Sequence, residues 1–232
     1  MVESKPDTKR LSLPEKLNHL IAQGSHTLSA ISFLNTEYDG MSDPDPVEKI
    51  ILTSYPRCGN TLLRTYLEQL TRIHTGSDCD LRRPMNKQLK DMGMHGEGQY
   101  GDRVWIVKTH FPERIGRAKF KAHKCIVIVR NPLDSMYSLF NMIQTSSHNE
   151  SIAKDVHDIA LKSKIWEDFV TQETTVWRDF HDYWLKETLP IETYFVTYES
   201  LLEEPQKTLT GLLQFLLNRH SLEGMSIQNH IE

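Results

Sequence analysis

The run Ser54-Tyr55-Pro56-Arg57-Cys58-Gly59-Asn60-Thr61 lies between a short apolar stretch and an amphipathic one. A loop leading from a buried strand into a helix offers an anion free backbone N–H groups and the positive end of the helix dipole. Gly59 permits close approach of the backbone, Arg57 adds a permanent positive charge and Thr61 a hydroxyl donor. Taken alone, the run is equally compatible with an ordinary strand-to-helix turn carrying a surface arginine. A second run, Val107-Lys108-Thr109-His110-Phe111-Pro112, offers a base, because histidine's ordinary pKa of about 6.5 suits proton removal near neutrality. Lys108 stands two residues earlier, on the same face of an ideal strand, where it could neutralise charge developing on a transferred group. A third run, Val129-Arg130-Asn131-Pro132-Leu133-Asp134, puts Arg130 after four consecutive β-branched residues, where it emerges at the edge of a sheet. A structural salt bridge is the competing reading of that arginine.

Two nucleotide-binding patterns can be set aside. The chain has no G-x-x-x-x-G-K-[ST]. Its one G-x-G-x-x-G, Gly96 to Gly101, precedes a strand instead of linking a strand to a helix, so a dinucleotide reading fails on context. A flexible loop is the expectation for those glycines.

The elements that must position these side chains follow from periodicity. Lys49 to Ser54, Val104 to Val107, Cys125 to Val129 and Tyr194 to Val196 are short apolar, β-branched runs and predict buried strands. Leu63, Tyr66, Leu67, Leu70 and Ile73 predict a helix from about Asn60. Asn131, Pro132 and Asp134 form a helix start, with Asn as the cap and Pro in the first turn. Further helices are predicted over Ile165 to Lys186 and from Pro205 to Leu217. Trp177 and Trp184 share one face of the former and read as core, ahead of sugar stacking. Residues 75–102, polar and rich in glycine, predict a long functional loop or lid. Residues 14–34 predict one helix within an N-terminal extension, residues 1–47, ahead of a domain over residues 48–232. Strands alternating with helices imply α/β architecture: a single domain with a central, mostly parallel sheet flanked by helices on both faces.

All four segments of interest, the last being Tyr194-Phe195-Val196-Thr197-Tyr198-Glu199, stand at strand C-terminal ends, where open α/β sheets bind ligands. In this order the set resembles the nucleotide-dependent sulfotransferase family. The first loop is similar to that family's 5′-phosphosulfate loop, usually Tyr-Pro-Lys-Ser-Gly-Thr-Thr-Trp. The Lys-Thr-His-x-Pro run resembles its catalytic strand end, and Arg130 with Ser138 its 3′-phosphate site. Tyr198 falls where the family places an adenine-contacting tyrosine. The resemblance covers about residues 48–217 and implies a P-loop-NTPase-like sulfotransferase fold. It further implies 3′-phosphoadenosine 5′-phosphosulfate (PAPS) as donor, 3′-phosphoadenosine 5′-phosphate (PAP) as product, and no metal. His110 would be the base, with Lys108 and Arg57 stabilising charge. Arg57, Cys58, Gly59, Asn60, Thr61 and Leu62 would line the 5′ end of the nucleotide; Arg130, Ser138 and Tyr198 would hold its other parts.

The chain departs from the pattern at defined places. Arg57 replaces the usual lysine; it can grip phosphate with two donors but cannot act as a general acid. Cys58 replaces serine and keeps only its backbone N–H as a strong donor. Leu62 stands in place of tryptophan, removing one aromatic surface near the adenine. The late Arg-Lys-Gly segment of many relatives has no counterpart here, and Arg219 is the one Lys or Arg after Lys207; either this branch manages without that grip or the chain is a shortened form. The acceptor pocket is expected from residues 75–102 and 141–165, whose polarity favours a polar acceptor such as a carbohydrate over a steroid or simple phenol. A small-molecule or nucleoside phosphotransferase, or a non-catalytic nucleotide-binding protein, are the alternatives.

Composition narrows the rest. A length of 232 residues with 38% hydrophobic and 25% charged residues describes an ordinary globular chain. The net charge of −4 gives no bulk attraction to nucleic acid or an anionic membrane. Three cysteines make neither a disulfide framework nor a zinc pattern. No secretion signal opens the chain and no apolar run is long enough to span a membrane, so a cytoplasmic location is expected. A homodimer is compatible with the sequence, which does not set the oligomeric state.

Overall fold

A computed structural model describes residues 31–34, 49–113, 120–186 and 190–231. The elements run β1 (Lys49–Ser54), α1 (Asn60–Thr71), β2 (Gly76–Ser77), α2 (Pro84–Asp91), β3 (Ile106–Thr109), β4 (Ala122–Val129), α3 (Pro132–Thr145), α4 (Lys154–Leu161), α5 (Lys164–Trp184), β5 (Glu192–Thr197), α6 (Tyr198–Glu203) and α7 (Pro205–Leu217), then a 3₁₀ turn at Ser226–His230. The five strands form one sheet in the order β2-β3-β1-β4-β5, and every pairing is parallel. Ile50 pairs with Ile106, Ser54 with Ile128, and Ile128 with Val196. Four successive residues of β4, Cys125 to Ile128, have no accessible surface. Successive strand residues point to opposite faces, so both faces are covered, as a parallel sheet requires. The predicted α/β class, the single domain and the parallel sheet all hold.

Local chemistry explains the element starts. The Asn131 side chain accepts from the backbone N–H groups of Leu133 and Asp134, so α3 begins at the predicted cap. α1 starts at Asn60 after Gly59 but stops at Thr71, because Arg72 turns left-handed and its N–H caps Glu68 O; Ile73 lies outside it. Trp184 is buried and Trp177 packs on the core, the packing role predicted for both.

Two expectations are corrected. The predicted helix over residues 14–34 falls outside the described residues except at its end, and that end is extended. Ser32 bridges Ile73 in parallel, its N–H donating to Arg72 O and its carbonyl accepting from His74 N. The backbone partner there overrides the apolar spacing.

Residues 75–102, predicted as a long loop or lid with a flexible stretch at Gly96 to Gly101, are likewise built structure. They contain β2 and α2, and Glu97 has no accessible surface. Lys49 ties the end of the segment to β1, its Nζ donating to Gly101 O and Val104 O at 2.7 and 2.6 Å. Gly96 serves close packing: a Cβ there would sit 1.9 Å from Thr75 O. Glycine content alone does not distinguish such close approach from mobility.

Candidate functional site

The C-terminal end of β1 is where the predicted residues meet. Ser54 O accepts from Nδ1 of His110, just past β3, at 2.8 Å. A carbonyl can only accept, so the proton of neutral His110 lies on Nδ1 and the lone pair on Nε2. On the other side of β1, Nη1 of Arg130, just past β4, donates to Arg57 O at 2.9 Å. The loop between Ser54 and Arg57 is therefore held from both neighbouring strands, with an imidazole on one flank and a guanidinium on the other. Thr53 and Trp184 both donate to Phe111 O, which fastens the segment after His110.

Within the loop, Arg57 and Gly59 both take positive φ, 67° and 93°. The ring of Tyr198, the first residue of α6, covers Gly59: a Cβ there would meet Tyr198 Cδ2 at 2.5 Å. Arg130 stacks on the same ring, 4.3 Å from its centroid. Two independent demands, conformation and space, thus select glycine at residue 59. The sequence placed Tyr198 at the end of a strand; it opens a helix instead, capped by the Thr197 hydroxyl. The Arg130 Nε is buried and has no hydrogen-bond partner among the described residues. A buried cationic donor left in that state is suited to an anionic ligand.

Arg57 is more engaged than the sequence suggested. Its Nε donates to Ser138 Oγ at 3.0 Å, Nη1 contacts Met142 Sδ and His148 Nδ1, and Nη2 donates to His148 O. These contacts occupy four of the five N–H donors that a guanidinium carries. A two-donor fork is therefore not presented outward in this arrangement. Burial lowers the Arg57 pKa, and the neighbouring charge of Arg130 lowers it further.

Cys58 is fully buried, and burial pushes its thiol up to about 12. Its side chain belongs to the core, leaving the backbone N–H as its contribution to the loop. Asn60 is buried and donates to Ser54 Oγ, which closes the turn. Thr61 and Leu62 lie half-buried in the first turn of α1.

Lys108 is the penultimate residue of β3 and stands among charged groups. β3 ends at Thr109, so the strand alternation does not carry through to residue 110. The Lys108 amine is buried, which lowers its pKa, while the nearby Glu97 carboxylate raises it. Glu97 is the centre of a polar cluster that sequence reasoning missed. It accepts from Arg64, Ser77 Oγ (2.5 Å) and Cys79 Sγ (2.8 Å). Arg64 also donates to Thr75, whose hydroxyl and N–H in turn donate to Glu68. Burial pushes the Glu97 carboxyl up, but Arg64, then Lys108 and the two hydrogen bonds, outweigh it and hold it at about 2. Glu97 lies inside the glycine pattern that read as a loop, and only its charge set it apart. His148 lies in the stretch 141–165 expected to line the acceptor pocket, but nothing in the sequence tied it to Arg57.

No helix among the described residues is long and apolar enough to cross a membrane. At 31% identity, a WSCD family member of Drosophila pseudoobscura pseudoobscura aligns over 166 residues, 71% of this chain and 49% of its own length. One from Aedes aegypti aligns over 169 residues at the same identity, 73% of this chain and 50% of its own. The chain thus spans about half the length of these curated relatives. Sulfotransferase 6B1 of Gorilla gorilla gorilla is 23% identical over 192 residues, 78% of this chain and 60% of its own. Among solved structures, mouse sulfotransferase SULT7A1 complexed with PAP superposes with a TM-score of 0.50 at 20% identity, over 81% of this chain and 65% of its own, a likeness of fold. Residues 47–230 match the model of the sulfotransferase domain, and the chain belongs to that family.

Proposed function

We propose that this protein transfers a sulfuryl group from PAPS to a hydroxyl or amine acceptor by in-line displacement. The observation that carries the reading is the pairing at the end of β1, with His110 bound to Ser54 O and Arg130 bound to Arg57 O. A base and a cation with unspent donor capacity thereby flank one helix-leading loop. Family membership and the PAP held by the mouse relative support the choice of donor.

In this reading the N–H groups of Gly59 to Leu62 bind the 5′ end of the nucleotide, Arg130 and Ser138 its 3′-phosphate, and Tyr198 its adenine. The acceptor's oxygen or nitrogen forms the new bond to sulfur while its proton passes to His110 Nε2. The bond from sulfur to the bridging phosphate oxygen breaks, and PAP leaves. Lys108 and Arg57 offset the negative charge that builds during the displacement. The acceptor enters from the side of residues 75–102 and 141–165, and its class is a polar small molecule or carbohydrate.

Calorimetric titration with PAP tests the donor, with Arg130→Ala as control; saturable binding lost in the variant is expected. Transfer of labelled sulfate to an acceptor library tests the base. The His110→Ala variant should lose at least about a hundredfold in rate, the usual share of a general base. No PAP binding by the parent protein, or equal transfer by the variant, would remove the proposal.

A further inference from the structure

His148 lies in the segment after α3, 91 residues from Arg57, yet among the described residues it makes the shortest side-chain contact to Arg57 after Ser138. Its Nδ1 is 3.2 Å from Arg57 Nη1, its carbonyl accepts from Arg57 Nη2 at 3.3 Å, and its Nε2 is 3.2 Å from Met85 O, on α2. Met85 O can only accept and Arg57 can only donate, so both contacts are satisfied by one state alone: neutral imidazole with its proton on Nε2. Protonated histidine would set two cationic donors against each other at 3.2 Å. The Nδ1–H tautomer would do the same and leave Met85 O without its donor.

The segment is built to hold this ring. Ser147 Oγ accepts from the N–H groups of Asn149 and Glu150, and Asn141 Oδ1 accepts from Ile152 N. The chain Met85–His148–Arg57–Ser138 therefore links α2, the segment after α3, the loop after β1, and α3.

We propose that His148 is a positioning residue for Arg57: its neutral ring fixes the guanidinium beside the loop that receives the anionic donor, and its protonation releases it. This inference rests on the donor-site reading given above. Around the imidazole, burial lowers its pKa, the bond to Met85 O raises it, the charges of Arg57 and Lys108 lower it and that of Glu97 raises it; the balance is downward. The clamp is thus present at neutral pH and lost as pH falls through a value below the ordinary 6.5.

Two measurements decide the matter. In the first, the imidazole ¹⁵N resonances of the full chain are followed through a pH titration, with His148→Asn used for assignment. A neutral ring protonated on Nε2, titrating below free imidazole and moving upward in Arg57→Met, is expected. A ring protonated on Nδ1, or a midpoint that Arg57→Met leaves unmoved, overturns the proposal.

In the second, PAP affinity is measured by calorimetry at about pH 7.5 and about pH 5.5. Asn can accept at the position of Nδ1 but cannot take a proton. His148→Asn should therefore bind PAP within about twofold of the parent at the higher pH and lose less affinity on acidification. His148→Ala should bind about tenfold more weakly, the usual scale for one hydrogen bond to a charged group. Equal binding by His148→Ala and the parent, or equal weakening in both variants, refutes the positioning role. If the parent does not bind PAP at all, the donor reading fails, and the resonance titration alone decides whether His148 orders Arg57.

Discussion

Arg64→Met removes one half of the buried ion pair behind the candidate site. Arg64 and Glu97 both have no accessible surface, and their side chains pair directly. Breaking such a pair from one side leaves an uncompensated charge in a dry setting, which costs about 3–5 kcal/mol. The carboxyl itself gives an independent figure. Glu97 falls from its ordinary 4.5 to about 2, a net effect of Arg64, Lys108 and the hydrogen bonds against burial. By linkage that depression is worth about 3 kcal/mol. That figure belongs to the whole cluster around Glu97, Arg64 included. Because the folded pKa is depressed, the contribution is complete above about 4.5 and is lost as pH falls toward 2. Urea unfolding at neutral pH should show a loss of about 3–5 kcal/mol for Arg64→Met, with a fall in Tm of about 10 °C for a chain of this size. The double variant Arg64→Met/Glu97→Gln should recover part of that loss, since no unpaired charge remains. A loss of less than about 1 kcal/mol, or a double variant no more stable than the single, would refute the claim that a dry pair organises residues 75–102.

Three further outcomes follow from the geometry. Gly59→Ala forces a left-handed alanine and pushes Tyr198 off its place, since the new Cβ would stand 2.5 Å from Cδ2; a loss of about 1–3 kcal/mol in urea unfolding is expected, together with weaker PAP binding. Tyr55→Phe deletes the hydroxyl that donates to Glu173 at 2.5 Å from a fully buried ring; a cost of about 1–3 kcal/mol should appear in thermal unfolding. Cys58 should resist alkylation near neutral pH in the folded protein and react once unfolded, because it is buried and its thiol is pushed up to about 12; mass spectrometry of native and denatured samples reads the difference.

The sequence alone determined the frame. Apolar β-branched runs marked four of the strands, because strands buried on both faces must be apolar along their length. The cap at Asn131 was visible for the same local reason: it depends on residues within one turn. The loop from Tyr55 to Thr61, the histidine after β3 and the arginine after β4 were visible as strand ends, and the structure does bring them together. Boundaries were less visible. Ser77 and Lys108 pair in the sheet, but β2 is two residues long and carries no periodic signal.

Only the tertiary structure decided what the side chains face. Periodicity says which side of an element is buried, and is silent on what lies opposite. Glu97 and Arg64 are 33 residues apart, and Arg57 and His148 are 91 apart; both contacts join separate elements. Glycine spacing suggested mobility at residues 96–101, whereas close backbone packing at Gly96 and a buried carboxylate make that segment part of the core. Arg57 shows the division most plainly. Its position in a helix-leading loop follows from the order of residues, but where its guanidinium points is set by Ser138, Met142 and His148, three residues that no local pattern connects to it.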